Sequence, residues 1–463
     1  MSAQAALPTL DALAGRRVAV WGFGREGRAA IGALRERLPR QALTLFCAAA
    51  EVAEAKNFDA ALTVIGDEPD ASALASFEVV LKSPGISRYK PAIAAAEARG
   101  TCFTSGTALW FAEHALDAAA APVIAVTGTK GKSTTSALIA HLARALGIRT
   151  ALAGNIGLPL LELLGQPAEL WVIELSSFQT GEAGSLELGV ITSLYEEHLD
   201  WHGSHERYLG DKLKLAAAAR RLLVNSMQEL LLERTASHPQ RLLFGQADGW
   251  HVRDGFIRRG SRKIFDTSQL PLPGQHNALN ACAALAALEA IGHDAERSAP
   301  ALAEFKPLPH RLQSLGEHAG LSWINDSIST TPQATLAALE SLHGRQVTVL
   351  VGGHDRGLDW SGFVEAMADE PPFAIICSGA NGPRIAQALF EANVAAEVAE
   401  VATLDLAVAR ARALSPAGSC VLLSPGAPSF DQFHDYAERG RHFAELAGFK
   451  AAAIAGIDGL GIA

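Results

Sequence analysis

The stretch VIAVTGTKGKSTT, residues 123–135, gathers the residue types that hold a nucleoside triphosphate. A β-branched run (Val123, Ile124, Val126) predicts a buried strand that breaks at Gly128 and Gly131, after which Lys132, Ser133, Thr134 and Thr135 open a helix. Glycines at such a turn let backbone N–H groups face an anion, and the helix N-terminus adds its positive end. Lys132 can reach the terminal phosphates and the Ser133 hydroxyl can hold Mg²⁺. The general phosphate loop has four residues between its first Gly and the Gly-Lys pair, whereas only Thr129 and Lys130 separate Gly128 from Gly131-Lys132. An incidental glycine turn is the competing reading, and it requires glycine, lysine and hydroxyl residues to coincide after a strand.

Four other stretches carry chemistry. Residues 17–27, RVAVWGFGREG, give a strand and then Gly22, Gly24 and Gly27 in a G-x-G-x-x-G arrangement. A dinucleotide cofactor wants an acid at the end of the second strand, but LTLF (43–46) runs into Cys47-Ala48-Ala49 with no acid until Glu51. The same turn holds the diphosphate of a nucleotide sugar equally well. In FEVVLKSPGIS (77–87) a strand ends in Ser83-Pro84-Gly85. ELWVIELSSFQT (169–180) delivers Glu174 to a strand terminus, where it can ligate Mg²⁺ or equally cap a helix. In LPGQHNALNACAALAAL (272–288), Asn277 and Asn280 share one face of an Ala-rich helix, and Asn277 can also be its cap.

The chain that positions these residues has 463 amino acids, and at about 150 residues per domain this predicts three domains. Five scattered cysteines without C-x-x-C spacing predict neither a metal knot nor a disulfide framework, and point to a reducing cytoplasm. The N-terminus lacks a basic start with an apolar core, and no run of 18 apolar residues follows, so a soluble protein without a membrane partner is expected. A formal charge of −10 disfavours nucleic acid. In FKPLPHRLQSLG (305–316) Pro307 and Pro309 stop the preceding helix and place a hinge. Beyond it LSWIN, VTVLV, AIICSG and CVLLSP alternate with helical patterns, as in a doubly wound domain. The expected fold is α/β in three domains: a Rossmann-like N-terminal domain (1–110), a central P-loop ATPase-type domain (111–308) and a C-terminal doubly wound domain (309–463).

In combination the motifs resemble the Mur ligase family, the ATP-dependent amide-forming enzymes of peptidoglycan precursor synthesis, over almost the whole chain. TGTKGKSTT is similar to the family's ATP loop, Ser83-Pro84-Gly85-Ile86 to the turn that faces UDP, and G-x-H-N-x-x-N (274–280) to a segment lining the nucleotide pocket. GVITSLYEEHLDWHGS (189–204) matches an N-x-x-x-D-H-x-D segment, with Ser193 and Glu197 as departures, which implies His198 at a second Mg²⁺. The resemblance also implies a carbamylated Lys212 in YLGDKLKLA (208–216), with Lys214 as competitor. A carbamate beside two Mg²⁺ is attracted where an ammonium is repelled. Implied ATP contacts are Gly128, Thr129, Lys130, Gly131, Lys132, Ser133 and Thr134, together with Asn277, Asn280, Arg311 and Asp326. Lys132, His198 and Lys212 are the implied catalytic groups, and Ser133, Glu174, His198 and Lys212 the implied metal ligands. Around the UDP substrate the resemblance places Gly24, Arg25, Glu26, Ser83, Gly85 and Asn155.

Two segments bear on the amino acid that is added. LLSPGAPSFDQFHDYAERG (422–440) resembles the glutamate-adding branch, which implies Ser429, Phe430 and Tyr436 as glutamate contacts, with Thr330 and with Arg356 for the side-chain carboxylate. Where that family stretch reads D-S-K-A-T-N, this chain reads Asp326-Ser327-Ile328-Ser329-Thr330-Thr331, so a lysine is lost beside a dicarboxylate. That stretch, together with Pro425-Gly426-Ala427-Pro428-Ser429-Phe430 in place of the usual Pro-Ala-x-Ala-Ser, resembles the branch that adds L-glutamate, and D-glutamate is the alternative. The expected substrates are ATP, glutamate and UDP-N-acetylmuramoyl-L-alanine, with two Mg²⁺, in a cytoplasmic monomer. A nicotinamide oxidoreductase would rest on the N-terminal glycines only, and a silent ATP-binding module would lack use for Arg356, Ser429 and Tyr436.

Overall fold

The computed structural model describes residues 8–195, 204–272, 274–450, 454, 457 and 459–463. The chain divides into two compact units, Met1–Phe305 with Gly459–Ala463, and Lys306–Asp458. The break after Phe305 falls just ahead of Pro307 and Pro309, where a short 3₁₀ turn, Ala299–Glu304, ends.

The first unit is built on two mainly parallel sheets. One has the order Thr63–Ile65, Leu43–Phe46, Val18–Trp21, Val79–Lys82, Cys102–Thr104, every pair parallel. Val18–Trp21 and Val79–Lys82 are buried along their whole length, as a strand covered on both faces must be. The winding reverses between them, so their carboxyl ends open the crevice where such sheets bind ligands. Trp21 pairs with Lys82 in register, which brings Gly22 and Ser83 out side by side.

The other sheet has the order Arg241–Phe244, Ala219–Asn225, Leu186–Ile191, Val123–Thr127, Leu170–Glu174, Thr150–Gly154, Gly461–Ile462, with only the last antiparallel. Val123–Thr127 is fully buried and has Leu170–Glu174 on one side and Leu186–Ile191 on the other. The loop after it is therefore flanked by Glu174 and by residues 192–195. The helix Lys132–Ala145 follows, packed on Gln275–Ala290, and the helix His205–Ala218 carries Lys212. A small antiparallel sheet, Trp250–Arg253, Phe256–Arg259 and Arg262–Asp266, and the return of residues 461–462 to the larger sheet were not foreseen from sequence.

The second unit is a six-stranded sheet in the order Gln313–His318, Leu321–Asn325, Cys420–Leu423, Val347–Val351, Ala374–Cys377, Glu397–Glu400, parallel except at its first pair. Helices cover both faces, as the alternating pattern predicts. Among the described residues no helix is long and apolar enough to cross a membrane.

Candidate active site

Gly128 and Gly131 shape the phosphate loop for reasons that can be read atom by atom. Gly128 has φ +150°, and a Cβ there would collide with Thr192 Oγ1. Gly131 caps the following helix at φ +84°, and its Cβ would stand 2.5 Å from Asn280 Oδ1. The loop is tied to the next strand's end: Thr129 N donates to Ser193 O (2.9 Å) and Lys130 N to Ser193 Oγ (2.8 Å). Thr129 Oγ1 meets Tyr208 OH at 2.8 Å, and Lys132 Nζ donates to Thr129 O at 2.9 Å. Asn280 Nδ2 donates to Asn277 Oδ1 at 3.3 Å, so both asparagines do sit on one face beside the loop. The capping alternative for Asn277 fails, because Gly274 is the N-cap and no side chain caps this helix.

Glu174 is buried at the end of its strand. Its Oε1 accepts from Asn155 Nδ2 at 3.0 Å, while Oε2 is buried with no hydrogen-bond partner among the described residues. No helix begins there, so the carboxylate is not a cap. Lys212 is 2% exposed and donates from Nζ to Gly128 O at 2.9 Å. Lys214, two residues on, faces away and pairs with Asp211 at 2.5 Å with much of its side chain in solvent. His198 lies outside the described residues. Ser133 and Thr134 stand in the first turn of the loop's helix, Ser133 half-buried and Thr134 buried.

At the crevice of the smaller sheet, Gly22 has φ +102° and its Cβ would lie 2.6 Å from Ser83 Oγ. That hydroxyl is buried and has no hydrogen-bond partner among the described residues. It faces the start of the helix Arg25–Arg37, whose N-cap is Gly24 and which no side chain caps. The buried, unmatched hydroxyl and the open helix end together form a cradle for an anion. Gly85 lies in the turn after Ser83, and Arg25 Nη1 donates to Gly157 O at 3.1 Å, next to Asn155. Glu26 is turned inward: burial, with Glu182 and Glu162 nearby, pushes its carboxyl up to about 7. Burial pushes the Lys82 ammonium down, against the pull of Glu182.

In the second unit His310 is buried at φ +61°, with Nδ1 3.1 Å from Asn325 Nδ2. Burial, then the nearby Arg441, pushes it down to about 4. Half-buried Arg311 follows it. Asp326 spends both oxygens internally, accepting from Leu312 N (3.0 Å) and Ser424 Oγ (2.8 Å) and from Ser329 Oγ. Burial raises its pKa and those bonds oppose the rise. Thr330 is half-buried just before the helix Pro332–Glu340. Ser429 is buried, Phe430 is 59% exposed, and the Arg356 guanidinium lies 5.8 Å from its ring centre. Tyr436 is tied to the Asp326 stretch through its carbonyl, which accepts from Ser327 Oγ at 2.8 Å.

Residues 126–288 match the model of the Mur ligase middle domain, and residues 310–426 that of the Mur ligase glutamate ligase domain. The UDP-N-acetylmuramoyl-L-alanine--L-glutamate ligase of Xanthomonas euvesicatoria pv. vesicatoria is 53% identical over 98% of this chain and 99% of its own. The enzyme of the same name from a Micromonospora strain is 40% identical over 94% and 97%. The chain belongs to the Mur ligase family.

Solved Mur ligases share its fold. UDP-N-acetylmuramate-alanine ligase MurC of Thermotoga maritima aligns over 93% of this chain and 98% of its own, at a TM-score of 0.60 and 20% identity. MurF of Thermotoga maritima, solved in complex with ADP, aligns over 95% of each chain at a TM-score of 0.55 and 16% identity. As a Mur ligase the chain has residues that fit a hard divalent cation at its phosphate loop, since an orphaned carboxylate oxygen on Glu174 is the donor such an ion takes. Two site neighbours went unread in the sequence. Tyr208, with the Ser193 already noted, fastens the phosphate loop, and Arg439 is 3% exposed, donating from Nε to Ser327 Oγ (3.0 Å) and from Nη2 to Ser327 O (2.8 Å). Burial pushes that guanidinium down to about 10. An E-R-G triplet is the one signal that could have flagged it.

Proposed function

We propose that this Mur ligase joins L-glutamate to UDP-N-acetylmuramoyl-L-alanine at the expense of ATP. Carrying the assignment is the 53% identity to an L-glutamate ligase, which runs along both units. We read 1–110 as the domain for the UDP substrate, 111–308 as that for ATP and 309–463 as the glutamate domain, except that residues 459–463 return to the first unit.

The γ-phosphate passes to an oxygen of the alanyl carboxylate, breaking its bond to ADP and giving an acyl phosphate. The glutamate amine then attacks that carbonyl carbon, phosphate leaves, the nitrogen loses a proton and an amide remains. In this scheme the loop's N–H groups and Lys132 hold the phosphates of ATP and offset the charge that spreads over the transferred group. The Gly24 helix end and Ser83 take the diphosphate of the sugar nucleotide, with Arg25, Gly85 and Asn155 around it. Glu174 and Ser133, with His198 and a carbamylated Lys212 by family resemblance, would hold two Mg²⁺, which supply positive charge to the phosphates when bound. Arg311, Asp326, Asn277 and Asn280 remain nucleotide contacts in this proposal. Arg356 takes the side-chain carboxylate of glutamate, and Ser429, Phe430, Tyr436 and Thr330 the rest. A cytoplasmic monomer belongs to the same proposal.

Phosphate release with UDP-N-acetylmuramoyl-L-alanine and each pure glutamate enantiomer tests it. L-Glutamate should support turnover, and turnover with D-glutamate alone would overturn the assignment.

A further inference from the structure

The helix His205–Ala218 aims Lys212 at the phosphate loop, and contacts from several elements hold it there. Tyr208 OH reaches Thr129 Oγ1 and Lys212 Nζ reaches Gly128 O, both on the loop itself. Thr180 Oγ1 donates to Asp211 O at 2.7 Å from the neighbouring 3₁₀ turn. A further contact comes from the side of the smaller sheet: Tyr89 OH donates to both oxygens of the Asp211 carboxylate, at 2.9 and 2.8 Å. Asp211 is 4% exposed and precedes Lys212 directly, so the two side chains leave the helix about 100° apart. Tyr89 stands six residues after Ser83, in the loop that leaves the crevice strand Val79–Lys82. Its ring lies 5.1 Å from the Arg207 guanidinium, one helical turn before Asp211, so the tyrosine is gripped at two points of the same helix. Burial and the Asp211 carboxylate push its hydroxyl up to about 12, which keeps it a neutral donor at any working pH.

We infer that Tyr89 and Asp211 are positioning residues that couple the loop beginning at Ser83 to the orientation of Lys212 at Gly128. The inference rests on reading the Ser83 loop as the sugar-nucleotide site and Lys212 as a working group of the ATP site. A nucleotide sugar that settles the Ser83 loop then also settles the helix, so Lys212 is held in place when both substrates are present. Neither residue touches the reacting atoms in this account.

The test uses the full chain with Tyr89→Phe, Asp211→Asn and the double variant. Tyr89→Phe keeps the ring over Arg207 and removes only the hydroxyl, so it guards against a folding defect. A charge-assisted hydrogen bond of this kind sets the expected fall in kcat at about tenfold to a hundredfold, with the KM for ATP and the melting temperature held. The double variant should lose less than the product of the two single losses, because both act on the one Tyr89–Asp211 contact, Asp211→Asn also giving up the ion pair with Lys214. Wild-type kcat in Tyr89→Phe, losses that multiply in the double variant, or a KM for ATP that rises in step with the fall in kcat would each overturn the inference. Hydrogen exchange separates it from the ligase assignment: UDP-N-acetylmuramoyl-L-alanine should protect the amides of 205–218 in the wild type and not in Tyr89→Phe, whichever glutamate is used. Equal protection in both would sink the coupling while leaving the activity assignment standing.

Discussion

Gly131→Ala separates the binding role of the phosphate loop from its contribution to the fold. Gly131 has φ +84°, and moving an L-residue into that left-handed region costs about 1–2 kcal/mol. The new methyl would also stand 2.5 Å from Asn280 Oδ1, so the Asn280 amide must swing away and give up its bond to Asn277, worth about 1 kcal/mol. Without ligand the loop can relax, but ATP must restore the strained geometry, so the sum of about 2–3 kcal/mol appears as a rise of about 30- to 150-fold in the KM for ATP. Gly147→Ala is the control. It lies just past the other end of the same helix at φ +83°, with nothing within 4 Å of its added carbon. It should lower the melting temperature through the same backbone strain and leave the KM for ATP unchanged. Steady-state kinetics and thermal melts on both variants decide the matter. An unchanged KM for ATP in Gly131→Ala, or an equal rise in Gly147→Ala, would refute the reasoning.

Ser83→Ala removes a buried hydroxyl that has no partner among the described residues, so the melting temperature should hold or rise while the KM for the sugar nucleotide climbs about fivefold to tenfold; a loss of stability with unchanged KM contradicts this. Glu174→Gln keeps an oxygen for Asn155 Nδ2 and discards the charge, so the protein should fold normally and turn over about a hundredfold or more slowly across an Mg²⁺ titration; an unaltered Mg²⁺ response argues against Glu174 as a ligand. His310 titrates at about 4 when folded against 6.5 as a free group, so between those values only the unfolded chain takes the proton and stability falls as the pH is lowered. Urea unfolding from about pH 7 to about pH 4 should cost the wild type up to about 3 kcal/mol that His310→Gln does not lose, and parallel curves would contradict the shift.

The sequence showed the strands that position these groups because each is a short apolar run ending in chemistry. Val123–Thr127 ends at Gly128, Leu170–Glu174 in the carboxylate itself, and Val79–Lys82 before Ser83. Where local pattern is silent, the reading stopped. Lys212 and Lys214 belong to one helix two residues apart, and only its packing turns the first toward Gly128 and the second toward Asp211. Tyr89 and Asp211 are 122 positions apart, as are elements in any tertiary contact that no spacing rule encodes. The sheet of 250–266 and the pairing of 461–462 with Thr150–Gly154 consist of segments too short to announce a partner. Arg439 is hidden for a different reason: a charged residue reads as surface unless its neighbours are known, and here they are Ser327 and a buried core.

Oxygen-18 placed in the alanyl carboxylate of UDP-N-acetylmuramoyl-L-alanine tests the central claim most directly, by mass spectrometry of the phosphate released with ATP and L-glutamate. If ATP activates that carboxylate, one labelled oxygen leaves with each phosphate and the product amide keeps the other. Unlabelled phosphate, with both labelled oxygens retained by the substrate, would contradict the account.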